Sequence, residues 1–269
     1  MLHHEVIRPP AGDPAAWLLF THGIYGAGRN WNSVARRVIE ERGGNGAVLV
    51  DLREHGGSIG RPGPHTIEAA ARDVVELMGS LDAPVAGVVG HSFGGKVMLM
   101  LARLLGDDAP AELWIIDSTP AARDEPAGSA WEMLATLRAA PGPFESRADA
   151  VARLESLGVA TPTAQWVSSN LERGPDGSLA WRIDLDAMEE LLRSFFETDL
   201  WDVVEDPPVG CTIHFVQATE SSVLDDDAVR RIEAAGRATG GRVRLHEVRG
   251  GHWLNADNPE GVVAALAQR

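Results

Sequence analysis

Three short stretches of this chain carry residue types that together could perform acyl transfer. The first is Gly90-His91-Ser92-Phe93-Gly94, between the apolar run Val85-Ala86-Gly87-Val88-Val89 and a helix-forming run from Gly95-Lys96-Val97. That order reads as strand, sharp turn and helix, with a serine at the apex. Glycines two residues either side let strand and helix pass closely while the strained turn keeps the hydroxyl exposed. The first helical amides then point at whatever the serine attacks, so the backbone N–H of Phe93 is one candidate oxyanion donor. The second stretch, His22-Gly23-Ile24-Tyr25-Gly26, follows an apolar strand, and the Ile24 N–H is the candidate second donor. The third is Gly250-Gly251-His252-Trp253. A serine hydroxyl needs a positioned base, and His252 is the candidate. Of the nine histidines, His3 and His4 are terminal and His65 sits in a Gly/Pro-rich loop. His214 and His246 fall inside strand-like runs, and His91 is turned away from its neighbouring serine.

Nucleophile and base must be carried to one place by rigid elements. From about Ala16 to Asp117 short apolar runs (Trp17–Phe20, Ala47–Leu52, Pro84–Val89, Leu113–Ile116) alternate with helical patterns over Asn30–Arg42, Thr66–Leu81 and Val97–Leu105. Near-continuous apolar strands are those covered on both faces. Repeated strand–helix units imply a mostly parallel sheet flanked by helices, with ligands at the carboxyl ends of the strands. The rhythm stops after Asp117. Residues 121–206 show no strong strand, only helical pieces over Ser129–Ala139, Ala148–Leu157 and Leu185–Phe196, with Trp131, Phe144, Trp166, Trp181, Phe195, Phe196 and Trp201 among them. The expectation is a helical cap inserted into an α/β core made of residues 1–120 and 207–269. The rhythm resumes with the strand Thr212–Ala218, a helix near Asp225–Arg237, the strand Arg242–Val248, and a last helix marked by Asn258 and Pro259. His252 therefore ends the last strand on the same sheet edge as Ser92.

An acid to orient the histidine can come from two places. Glu220 lies in the loop after the strand Thr212–Ala218, where Asp225 is better explained as a helix cap. Asp117 ends the strand after the nucleophile helix, on the same edge. On these grounds both remain open.

Composition narrows the function. The 269 residues are 44% apolar with 29 glycines, as expected of a globular α/β protein, and the net charge is −15. That charge argues against nucleic acid or an anionic membrane surface as partner. Cys211 is the only cysteine and reads as a small buried hydrophobe. No clustered metal-ligand spacing is present, no run is long enough to span a bilayer, and the first residues lack a signal-peptide pattern, so the expectation is a cytoplasmic enzyme without metal or organic cofactor.

These motifs resemble the α/β-hydrolase superfamily, and more closely the small bacterial YbfF-type esterases and related abhydrolase-domain proteins of animal mitochondria. The matching pieces are His22 to Gly26 with Asn30 and Trp31, Asp51 to Ser58, Gly90 to Lys96, Ile116 to Pro120, Trp181 to Leu185, and Gly251 to Trp253. Family members usually carry Arg-Asn-His-Gly where this chain has Arg53-Glu54-His55-Gly56; Glu54 is expected to stay clear of the chemistry in a loop braced through Arg53. The resemblance implies hydrolysis of a carboxylic ester or thioester through an acyl-enzyme on Ser92, with His252 as base, and the aromatic residues of the expected cap suggest an apolar pocket for small to medium esters. It favours Asp117 over Glu220 as the acid, because YbfF-type relatives carry Asn-Ser at Glu220-Ser221 yet keep the aspartate. The alternatives are C–C bond hydrolysis or perhydrolysis with the same residues, or a non-catalytic protein that binds a small ligand.

Overall fold

A computed structural model describes residues 1–123 and 128–268; residues 124–127 of the expected insertion lie outside the described residues. The first part of the chain runs β1 (His4–Ile7), β2 (Ala16–Thr21), α1 (Asn32–Arg42), β3 (Asn45–Val50), α2 (Ile67–Met78), β4 (Val85–His91), α3 (Phe93–Leu105) and β5 (Glu112–Ile116). After β5 come α4 (Ser129–Ala139), α5 (Arg147–Ser156), α6 (Thr161–Val167), β6 (Leu171–Arg173), β7 (Leu179–Trp181), α7 (Leu185–Glu197) and α8 (Trp201–Glu205). The chain then finishes with β8 (Thr212–Ala218), α9 (Asp226–Ala238), β9 (Val243–Val248), α10 (Leu254–Asp257) and α11 (Pro259–Leu266).

Seven strands form one sheet in the order β1-β3-β2-β4-β5-β8-β9. Only β1 is antiparallel to its neighbour; the other pairings are parallel. The apolar strands divide their side chains between two cores, as a period of two requires. Trp17, Leu19, Val48, Val88, Leu113 and Phe215 join one core with residues of α2, α3 and α9. Leu18, Phe20, Leu49, Val89, Ile116 and Val216 face α1 and α11. The expected caps are present, Asp225 accepting from Ala228 N–H and Asn258 from Gly261 N–H, and Thr66 and Asp184 cap two further helices by accepting from Ala69 N–H and from Asp186 and Ala187 N–H.

The structure contains elements that the sequence pattern does not predict: the short helices α6, α8 and α10, and strands in two places. Strand β1 was not foreseen: it is a four-residue edge strand with two exposed positions and no apolar run. The segment expected to lack strands contains the β6–β7 hairpin, pairing Leu171 with Trp181 and Arg173 with Leu179. Its turn is Gly174-Pro175-Asp176-Gly177, where Gly177 sits at φ 85° and the Asp176 carboxylate accepts from Ser178 N–H. Strands of three residues are too short for alternation to show in sequence.

Candidate active site

Ser92 lies between the last residue of β4 and the first of α3, at φ 51° and ψ −115°. A positive φ is uncommon for a residue with a side chain, and here the surroundings impose it. A β-carbon on Gly90 would lie 2.4 Å from the Gly94 carbonyl oxygen, and one on Gly94 would lie 2.7 Å from the His22 carbonyl oxygen. Strand, helix and the loop after β2 are thus in backbone contact around the serine, whose own N–H donates to the Ile116 carbonyl at 2.9 Å.

The imidazole of His252, at the end of the loop after β9, stands with Nε2 3.0 Å from Ser92 Oγ. Its Nδ1 lies 2.6 Å from Asp117 Oδ2. A carboxylate oxygen accepts, so Nδ1 carries the hydrogen and a neutral ring turns the Nε2 lone pair toward the serine. Asp117 directly follows β5, is 0% exposed and adopts φ 42°. Its N–H donates to Val216, and its carboxylate also accepts from the Ser221 hydroxyl at 2.6 Å and from Ala218 N–H at 3.3 Å. Glu220 goes elsewhere. Its side chain is 58% exposed and meets Arg249 Nε at 3.3 Å, while its N–H donates to Gly250. Ser221, which the sequence reading passed over, is the residue of that loop that reaches the aspartate.

The loop that carries Ile24 packs closely on the turn that carries the serine: a β-carbon on Gly23 would lie 3.0 Å from His91 Nδ1 and 3.4 Å from Ser92 Cβ. The Phe93 N–H belongs to the first helical turn, whose amides have no intrahelical acceptor. Tyr25, next to Ile24, sits at φ 63° and is held by three hydrogen bonds. Its N–H donates to His55 Nε2 at 3.1 Å, its carbonyl accepts from Asn170 Nδ2 at 2.9 Å, and its hydroxyl donates to the Ala130 carbonyl at 2.9 Å.

Three buried imidazoles frame this loop. His22 donates from Nδ1 to Gly23 and accepts from Leu52 N–H; His55 donates from Nδ1 to Arg53. His91 donates from Nε2 to the His252 carbonyl at 2.7 Å. Burial pushes His55 and His91 down to about 3, with the neighbouring His22 and His252 adding to it respectively, and burial lowers His22 as well. All three stay neutral and serve as fixed spacers. Arg53 braces the following loop through Asp73 (2.8 and 3.0 Å) and the Pro62 carbonyl, and the Glu54 carboxylate caps the amides of Gly60 and Arg61. His214 and His246 stack together against Trp114 within the sheet, hydrogen-bonded to each other at 3.0 Å, and neither is hydrogen-bonded to Ser92, His252 or Asp117.

A cavity of about 330 Å³ opens beside Gly23 and His91, walled by Trp31, Trp166, Trp253 and Asn255. Trp253 both packs and lines: its ring lies 5.4 Å from His91, 5.6 Å from His252, and 4.4 Å from Trp166 of α6. From α7, Phe195 reaches the Phe93 ring at 6.1 Å. Among the described residues no group of three or more His, Cys, Asp or Glu could hold a metal ion, and no helix is long and apolar enough to cross a membrane.

The model of the Alpha/beta hydrolase family matches residues 18–265. The chain is 26% identical over 274 residues to the mouse (Mus musculus) sn-1-specific diacylglycerol lipase ABHD11, covering 98% of this chain and 83% of that protein. It is 29% identical over 265 residues to Lipase LipV of Mycobacterium tuberculosis, covering 94% and 93%. Among solved structures it is similar to a marine microorganism esterase, with TM-score 0.81 at 23% identity over 98% of this chain and 97% of that one.

Proposed function

The chain belongs to the alpha/beta hydrolase family, and on that premise we propose that it is a serine hydrolase of small to medium carboxylic esters, thioesters included. One observation carries this reading: the unbroken hydrogen-bonded line from Asp117 Oδ2 through His252 to Ser92 Oγ, at 2.6 and 3.0 Å. The relatives named as lipases support the ester class.

In this reading Ser92 Oγ attacks the substrate carbonyl as His252 Nε2 takes its proton. On the same reading the N–H groups of Phe93 and Ile24 receive the oxyanion, as backbone donors that need little reorganisation. Buried Asp117 holds the ring's tautomer and stabilises the imidazolium. That imidazolium then protonates the departing alkoxide or thiolate, leaving an acyl-enzyme. Water, deprotonated by the same nitrogen, releases the acid and restores the serine. Residues 121–206 act as a cap over the reacting carbonyl.

The test is direct. Purified protein is assayed on p-nitrophenyl acetate and butyrate and treated with a fluorophosphonate, with the adduct located by peptide mass spectrometry. Turnover together with an adduct on Ser92 is the expected result. A turnover-competent protein whose adduct lies on another residue would overturn the assignment, and neither turnover nor adduct would favour a binding protein.

A further inference from the structure

Lys96 follows Ser92 by four residues on α3, and it is 0% exposed. Positions on a buried helix face normally go to apolar side chains, because an enclosed ammonium loses its hydration. Burial pushes this amine down to about 7, while the Asp199 carboxylate pulls it back up. Its compensation is specific. Nζ donates to the backbone carbonyls of Ala121 at 2.8 Å, Phe195 at 2.7 Å and Thr198 at 3.0 Å. Three acceptors use all three hydrogens of an ammonium.

Those acceptors have a shared location. Ala121 stands where the chain leaves the sheet after β5, and Phe195 and Thr198 stand at the far end of α7, where it returns. The outgoing and returning segments are also joined to each other. Arg123 N–H donates to Phe196 at 2.7 Å, and Leu200 N–H donates to Pro120 at 2.9 Å. Lys96 grips Phe195 twice: besides its carbonyl, the ring centroid lies 4.4 Å from Nζ. That ring is the one packed against Phe93, the residue after the serine.

We propose that Lys96 is a positioning residue that pins both roots of the insertion to the nucleophile helix and thereby fixes Phe195 as the wall that limits the apolar acyl group of the substrate. The proposal rests on Ser92 being the nucleophile. It makes acyl-length selectivity a property of a side chain that never touches substrate. A lysine suits the task because one atom reaches three carbonyls from two separate pieces of chain; methionine would fill the volume and join neither.

The experiment compares wild type, Lys96→Met and Phe195→Ala. Readouts are fluorophosphonate labelling of Ser92, kcat and KM on p-nitrophenyl acetate, butyrate and octanoate, and amide hydrogen exchange at Arg123 and Leu200. In Lys96→Met, Ser92 should still label, and exchange at both amides should rise by about tenfold or more as the roots open locally. The octanoate-to-butyrate ratio of kcat/KM should also rise by about tenfold, mainly through KM. Phe195→Ala should shift the same ratio and leave both amides protected. An unchanged ratio in Phe195→Ala overturns the proposal even if Lys96→Met does not fold. An equal loss on all three esters in Lys96→Met overturns it too, since a merely structural lysine gives that result. If wild type turns over none of the esters, the esterase reading fails; exchange in Lys96→Met then still decides the pinning, and unaltered exchange refutes it.

Discussion

The side-chain amide of Asn170 donates to the backbone carbonyl of Tyr25 at 2.9 Å, joining two residues 145 positions apart. Tyr25 is a bulky residue at φ 63°, a conformation that survives only where its surroundings over-determine it. Asn170 comes from the insertion and His55 from the core, so the loop carrying the Ile24 amide is clamped from both sides. Its geometry depends on the insertion being in place.

The first prediction concerns that clamp. Asn170→Ala should lower kcat by about tenfold with KM little changed, because an oxyanion donor displaced by a fraction of an ångström loses strength mainly in the transition state. The check is steady-state kinetics on p-nitrophenyl butyrate. A purely KM effect would mean that Asn170 shapes binding and leaves the Ile24 amide alone.

The reacting pair should behave as a unit. Ser92→Ala and His252→Ala should each lower kcat by roughly 10⁴-fold, and the double variant should be little worse than either. Losses that multiply in the double variant would show that the two residues work independently and that the proton goes elsewhere.

Asp117→Asn and Glu220→Gln separate the two acids. An amide at 117 can present its NH₂ to Nδ1 and favour the wrong tautomer, so kcat should fall by about 10³- to 10⁴-fold with the fold retained. Glu220→Gln should stay within about twofold, since it loses an exposed ion pair with Arg249. Thermal melts of both proteins check folding. A large loss confined to Glu220→Gln would reverse the assignment.

Acid sensitivity follows from the buried imidazoles. The ordinary histidine value is 6.5, and His55 and His91 are pushed down to about 3 in the folded protein. Between those values the unfolded chain binds protons that the folded chain refuses, so stability is full above 6.5 and is lost as pH falls toward 3. Each histidine accounts for about 2 kcal/mol between pH 6.5 and 4.5. Urea unfolding at the two pH values should show the loss, and His55→Gln should shrink it. An unaltered pH dependence in that variant would place the titration in other groups.

What the sequence made legible was what rests on local pattern. The strand–turn–helix around Ser92 was readable because two glycines and an apolar run are a local steric requirement, and β5 was readable because its run Leu113-Trp114-Ile115-Ile116 is continuously apolar. The β6–β7 hairpin was not, since three-residue strands leave no period to detect. Ser221 was missed for another reason: its hydroxyl matters only because β5 and β8 are neighbours, which brings Asp117 within 2.6 Å of it. Lys96 and Asn170 are likewise defined by partners about 25 to 145 residues away, and no window of sequence contains both ends of such a bond.

Asp117 precedes the insertion, and this divides the chain unequally. Of the groups in the proposed mechanism, Ser92, Asp117 and the amides of Ile24 and Phe93 all lie at or before residue 117, and only His252 follows β8. On that mechanism, two fragments cut within the insertion would each be inert, one a nucleophile without a base and the other a base without anything to deprotonate. Fused to two interacting partners, such halves would make a complementation reporter, because β5 must zip against β8 before His252 can meet the serine.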